Sequence, residues 1–383
     1  MTLGSAATGG GHLWEGEIAV PHHRFSRRAW TRRIATTVVA VATGVGVALS
    51  LAGPAAAADQ QQQLADFIAA GAKKPVVAET ILAGRSSWFT PTGNGPRQEG
   101  FLPAFGYGLT NPNIAPPGAN DWSCKPKQGQ DPVVLVHGTW ENAYNNWAML
   151  SPALKSAGYC VYALNYGILP TLQGGGLGAL LPGAFGTGDI AQSGTQLGDF
   201  VTKVLSTTGA SKVNMVGHSQ GGIAARQYIR YDGGASKVAN LVTLGATNNG
   251  TSLDGIGTLG RTINNLGIDV LGPIALGVGA SGIQQVYDSP FIKNLNKGGV
   301  YAVGDVKYTI IGSRYDEITT PYQSTFFPAG TKNTRNIVLQ NGCEQDTSDH
   351  LSLSYSPRAV SIVLNAFDPA VPIVCAPNAW LLG

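Results

Sequence analysis

One segment constrains the chain more than any other. Gly217-His218-Ser219-Gln220-Gly221 follows directly on the strand-like run 212–216 and precedes a helical stretch through Ile223, Tyr228 and Ile229. This is a G-x-S-x-G pattern set between a strand and a helix. Reversing a strand into a helix at one residue forces that residue into strained backbone. The positions two before and two after then run so close to other backbone that a β-carbon would collide, so glycine is needed at both. Ser219 is thereby offered at the tip of a tight turn, where a nucleophile must stand. The pattern alone is weak in a chain with 52 glycines. Residues 255–260 and 277–282 both match G-x-G-x-x-G, yet neither follows a strand in a βαβ unit, and dinucleotide binding is not expected. Context, and not the pattern, gives Ser219 its weight.

The alternation around this turn sets the fold class. Val133-Val134-Leu135-Val136 is a continuous apolar run, as in a parallel strand buried on both faces. Residues 145–157 have helical spacing (Trp147, Leu150, Leu154), and 159–164 return to strand. Residues 189–205 form a helix with Ile190, Leu197, Phe200, Val201, Val204 and Leu205 on one side. Further strands are expected at 213–216, 241–244, 308–311 and 337–339, with a last helix near 360–366. Strands alternating with helices indicate an α/β layered fold with a mostly parallel sheet flanked by helices. Upstream, 60–71 predicts a short helix, and 86–130, rich in Pro, Gly and Asn, predicts an irregular arm. The expected division is a leader over 1–58, the N-terminal helix and arm packed on the core over 59–130, and a catalytic domain over 131–383. Two stretches break the alternation. Residues 168–187 carry no charge around Gly174-Gly175-Gly176, and within 250–290 the segment 270–287 is likewise uncharged and Gly-rich apart from its end. Such broken apolar segments suit cap or lid insertions over an apolar site.

The formal charge of +3 is a property of the leader. Five of the 25 Lys and Arg (Arg24, Arg27, Arg28, Arg32, Arg33) and two of the 22 Asp and Glu (Glu15, Glu17) lie in residues 1–58, so the remainder is balanced. A neutral body without a basic stripe argues against nucleic acid as a partner. Arg27 to Arg33 precede an apolar stretch over 34–51 and a small-residue run over 53–58, the pattern of a secretory signal peptide. Cleavage would leave no stable membrane span, and the mature chain is expected outside the cell. Four cysteines, Cys124, Cys160, Cys343 and Cys375, contain no C-x-x-C pair and allow three connectivities. Cys124–Cys160 and Cys343–Cys375 are favoured, because each closes a loop of about 30 residues within one local unit.

A serine nucleophile needs a base. His12, His22 and His23 fall in the leader, His137 shapes a turn before Gly138, and the side chain of His218 should project away from its neighbour Ser219. His350 remains, in a polar loop after the last strand. The carboxylate that orients it is expected to be Asp316, beyond the carboxyl end of the strand 308–311; Glu317, Asp346 and Asp349 are rivals. The oxyanion of an acyl-transfer intermediate needs two donors, for which the backbone N–H groups of Gln220 and Thr139 are the candidates. The order Ser219, Asp316, His350 is that of the α/β-hydrolases.

The segments 132–139, 158–167 and 216–222, with 118–124 and 315–321, resemble the class 2 family of secreted bacterial lipases within the α/β-hydrolase superfamily. The resemblance runs from about residue 101 to the C-terminus. It implies hydrolysis of carboxylic esters, commonly acylglycerols at a lipid–water interface, without an organic cofactor. It also implies the triad Ser219, Asp316, His350, the oxyanion pair Thr139 and Gln220, and the two disulfides just favoured. No acidic ion-binding loop is recognisable, though a structural calcium stays open. A hydrolase of insoluble, cutin-like polyesters would use the same machinery, and a secreted binding module would keep the fold without the activity.

Overall fold

The computed structural model describes residues 89–168, 183–252, 255–256 and 279–381. The expected leader, the helix expected over 60–71 and most of both expected cap stretches lie outside the described residues. Within the arm, the expectation of irregular structure is corrected by a helix, α1 (Phe101–Thr110). Its buried residues, Phe101, Ala104, Phe105 and Gly108, make the i, i+3, i+4, i+7 stripe of an amphipathic helix. Pro103 lies in the first turn, where its missing N–H removes no intrahelical bond. The rest of the arm is tied to the body at several points, among them Asn120 N–H to Val161 C=O at 2.9 Å.

The chain then runs β1 (Val133–Val136), α2 (Ala143–Trp147), α3 (Leu150–Ser156), β2 (Val161–Leu164), α4 (Ile190–Thr208), β3 (Val213–His218), α5 (Gln220–Tyr231) and β4 (Val238–Leu244). It continues through α6 (Gly279–Gln284), α7 (Pro290–Leu295), β5 (Lys307–Gly312), β6 (Thr334–Val338) and α8 (Pro357–Phe367). The single helix expected over 145–157 is thus two short ones. Each other expected strand and helix among the described residues forms within a few residues of its place, and α6 and α7 are helices the sequence did not predict.

Among the described residues six strands form one sheet in the order β2-β1-β3-β4-β5-β6, parallel throughout. Period-two alternation divides its side chains between two layers. Val134, Val136 and Met215 pack with Leu197, Val201, Val204, Ile223 and Tyr228 on one face. Val133, Leu135, Val216 and Val242 pack with Trp147, Leu150, Leu154, Ile362 and Val363 on the other. From β1 the chain steps outward to β2, then returns to β3 on the opposite side of β1. That reversal opens a crevice at the carboxyl ends of β1 and β3, where sheets of this kind bind ligands. Gly138 and Thr139 follow β1, and Ser219 follows β3.

Both favoured disulfides are formed, Cys124–Cys160 and Cys343–Cys375. Among the described residues no helix is long and apolar enough to cross a membrane.

Candidate active site

Ser219 is the single residue between β3 and α5, with φ 52° and ψ −127°. L-residues rarely adopt positive φ, so this backbone is strained and held by its surroundings. The flanking glycines account for how. A β-carbon on Gly221 would strike the Val136 carbonyl oxygen and lie 2.5 Å from that of His137; one on Gly217 would lie 2.6 Å from Gly222 N. Ser219 N–H donates to Leu244 C=O at 2.8 Å, which anchors the turn to the end of β4.

The next residue after Leu244, Gly245, lies against Asp316 and His350. A β-carbon there would lie 2.9 Å from Asp316 Oδ2 and 3.2 Å from His350 Nδ1. Asp316 follows β5, and its two oxygens lie 2.9 Å from His350 Nδ1. Its Oδ1 also accepts from the N–H groups of Ile318 and Thr319 at 3.0 and 2.7 Å, so the carboxylate is fixed by its own loop. Both residues are buried. Burial works against a charged imidazole, but the charge and hydrogen bond of Asp316, with Glu317 and Glu141 beyond, outweigh it and raise the His350 pKa from 6.5 to about 9. On the far side of the ring, His350 Nε2 is buried and has no hydrogen-bond partner among the described residues. The structure places no hydrogen bond between Ser219 Oγ and His350, although their supporting backbone is adjacent.

The rival carboxylates are otherwise engaged. Asp346 accepts from Ser348 and Ser356, and Asp349 accepts from Ser352 and from Leu381 N–H. Glu317 accepts from the backbone N–H of His350 at 3.4 Å, and its pKa is pushed up to about 7 by burial and by the Asp349 and Asp316 carboxylates. His137 is fully buried, its Nδ1 2.8 Å from Gly138 O, and burial lowers its pKa to about 4.

Thr139 and Gln220 come together across 81 residues of sequence, Thr139 Oγ1 donating to Gln220 Oε1 at 2.7 Å. Their backbone N–H groups donate to nothing among the described residues, which leaves two unspent donors at the border of Ser219. Three further residues take part that the sequence did not point to. Gln285 donates to Thr139 Oγ1 at 2.9 Å and accepts from Thr247 Oγ1 at 3.0 Å, joining the described end of one cap stretch to this corner. Glu141 and Asn146 both accept from Gly138 N–H and both contact His218 Nδ1, while His218 Nε2 lies 2.9 Å from the His350 carbonyl oxygen. The contacts to His218, Thr139 and Thr247 join residues 38 to 146 positions apart in the chain, so local pattern carried no signal for them. Trp140, Ile256, Ile318 and Leu351 form an apolar cluster beside these loops. Among the described residues no group of three or more His, Cys, Asp or Glu is arranged to hold a metal ion.

Residues 130–354 match the sequence model of a family described as Lipase (class 2). A triacylglycerol lipase of Pseudarthrobacter phenanthrenivorans is 32% identical over 125 residues, which is 31% of this chain and 34% of that protein. Another, of Burkholderia plantarii, is 32% identical over 125 residues, 31% of this chain and 30% of that protein. The matched stretch therefore spans about a third of either curated relative. Aspergillus fumigatus lipase B has the same fold, with a TM-score of 0.51 at 19% identity over 74% of this chain and 65% of that one.

Proposed function

The chain belongs to the class 2 lipase family, matched from residue 130 to residue 354, and on that premise we propose that it hydrolyses lipid carboxylic esters through an acyl-enzyme on Ser219. His350 Nε2 takes the Ser219 hydroxyl proton as Oγ attacks the ester carbonyl carbon. The carbonyl oxygen becomes an oxyanion held by the N–H groups of Thr139 and Gln220. When the intermediate collapses, the C–O bond to the alcohol breaks and His350 returns the proton to the leaving oxygen. Water then attacks the acyl-enzyme, giving its proton to His350, and the acid is released with the serine restored. Asp316 holds the imidazole in the required tautomer and stabilises its cation throughout.

The observation that carries this reading is the asymmetry of His350. Its Nδ1 is held by a carboxylate, while its Nε2 is buried without a partner among the described residues. A buried imidazole nitrogen left unpaired is costly unless something transient fills it. The apolar cluster around Trp140 and Leu351 supports a substrate with hydrocarbon chains. Export to an oxidising compartment is part of the proposal, supported by the two disulfides and by the leader pattern. A fluorophosphonate probe should label the wild type at one equivalent, and Ser219→Ala should neither label nor turn over p-nitrophenyl butyrate or triolein. Turnover by Ser219→Ala at the wild-type rate would end the reading.

A further inference from the structure

A second carboxylate–imidazole pair lies behind the site, and the mechanism above leaves it without a task. Glu141 and His218 are both buried. Glu141 stands at the end of the loop after β1 and turns back on it: Oε2 accepts from Gly138 N–H at 2.8 Å and lies 3.0 Å from His218 Nδ1. Its other oxygen has no partner among the described residues. His218 Nε2 lies 2.9 Å from the backbone oxygen of His350. A carbonyl oxygen only accepts, so Nε2 carries a proton and donates it there. The imidazole therefore links two loops, one 77 residues before it in the chain and the other 132 residues after it. A β-carbon on Gly138 would lie 3.2 Å from His218 Nδ1 and 3.2 Å from Ser219 Cβ, so loop, bridge and serine converge at one point where only glycine fits.

A buried carboxylate with one oxygen unsatisfied is a poor way to fill a core, since an apolar side chain would pack there without that cost. What the pair does that an apolar filler could not is fix two backbone groups. Gly138 N–H is turned inward, toward Glu141 Oε2 and Asn146 Oδ1, while the N–H of the next residue, Thr139, is left unspent. The carbonyl of His350 is held while its side chain stays free to exchange a proton at Nε2.

Resting on the proposed esterase reading, we infer that Glu141 and His218 are positioning residues: they set the oxyanion loop through Gly138 and the general base through the His350 carbonyl, and touch no substrate. The ionisable groups around His350 are Asp316 and Glu317 from the loop after β5, Glu141 from the loop after β1, and His218 from the end of β3. Glu141 is among those that raise the His350 pKa, so its charge also reaches the base.

The test uses Glu141→Gln, His218→Asn and His218→Gln, assayed on p-nitrophenyl butyrate from about pH 6 to about pH 10 with thermal melts in parallel. Turnover by the wild type and its loss in Ser219→Ala check the underlying reading separately, so the variants speak only to the bridge. His218→Asn keeps an amide near the Nδ1 position but cannot reach the His350 carbonyl; kcat should fall about 100-fold with KM within about twofold. His218→Gln reaches the Nε2 position and should recover about tenfold of that loss. Glu141→Gln should move the acid limb of kcat/KM to lower pH. Equal losses in both His218 variants that track only the fraction folded, with the limb of Glu141→Gln unmoved, would overturn the assignment. Where the His218 variants do not fold, the nearly isosteric Glu141→Gln decides by its pH limb alone.

Discussion

Asp316 places both carboxylate oxygens 2.9 Å from Nδ1 of His350, and the pair rests against the bare α-carbon of Gly245. Because the same Asp316 oxygen accepts from Ile318 and Thr319 N–H, an asparagine could keep its loop contacts while presenting an amide N–H to the ring. Nδ1 would then have to accept, the proton would sit on Nε2, and no site would remain for the serine proton. Asp316→Asn should therefore lower kcat by about ten-thousandfold with a melting temperature near that of the wild type. Single-turnover kinetics on p-nitrophenyl butyrate, with a melt on the same sample, check both halves; retained turnover would remove Asp316 from the proposed triad.

The pH dependence follows from the same pair. The sequence alone, taking an ordinary imidazole, implies activity failing below about pH 6 to 7. In the structure the His350 pKa is raised to about 9, because Asp316, Glu317 and Glu141 together outweigh burial. A base works when neutral, so kcat/KM should climb as pH rises toward about 9. Stability should move the other way. A raised pKa means the fold binds this proton more tightly than the unfolded chain does. The resulting stabilisation is complete below the ordinary pKa of 6.5 and is lost as pH rises through about 9. The melting-temperature advantage of wild type over His350→Gln should accordingly shrink between those two values. An activity limb at the ordinary histidine pKa, with a constant melting advantage, would count against the ion pair.

Gly245 gives a sharper steric prediction. Its φ is 55°, and a β-carbon would meet Asp316 Oδ2 at 2.9 Å and His350 Nδ1 at 3.2 Å. Gly245→Ala should cost about 1–2 kcal/mol from backbone strain alone. It should also displace the pair, so that kcat falls further than the fraction folded explains. Comparing activity with the folded fraction by circular dichroism separates the two effects; loss of stability without excess loss of kcat would show that the pair tolerates the push.

What was legible in the sequence, and what was not, divides along the range of the interactions. The turn at Ser219 could be read because its requirement is local: two glycines at fixed offsets between a strand and a helix. His350 and Asp316 could be read because few histidines remained and because each lies beyond a strand's carboxyl end. Helix α1 was hidden by Pro103 and its two glycines, which ordinarily mark loops, although the spacing of Phe101, Ala104, Phe105 and Gly108 carries the helical period. Glu141, His218 and Gln285 were beyond reach for a different reason. Their partners lie 77, 132 and 146 residues away, and nothing local to a buried polar side chain names the group it will meet.

The last prediction concerns the loop that carries His350. The C-terminal segment is laid across it: Thr347 N–H donates to Asn378 C=O at 2.8 Å, Asn378 Nδ2 donates to Ser348 Oγ at 2.9 Å, and Leu381 N–H donates to Asp349 Oδ2 at 2.8 Å. Trp380 packs on Tyr315, the residue before Asp316, with ring centroids 5.3 Å apart. Cys343–Cys375 closes this strap over a separation of 32 residues. Loop-closure entropy gives such a link about 3–4 kcal/mol of stabilisation against the unfolded chain. Opening it should also loosen the strap beside Asp316 and His350 before the sheet itself is lost, because the strap is otherwise held by loop hydrogen bonds, the Trp380–Tyr315 contact and the packing of Ile373 and Leu381, and not by pairing within the sheet. The double variant Cys343→Ser with Cys375→Ser should therefore lose activity at a lower temperature than it loses its far-ultraviolet helical signal. The corresponding pair at Cys124 and Cys160 should show the two losses together, since that link ties the arm to the edge strand and not to His350. Coincident transitions in both variants would show that the strap does not act on the site.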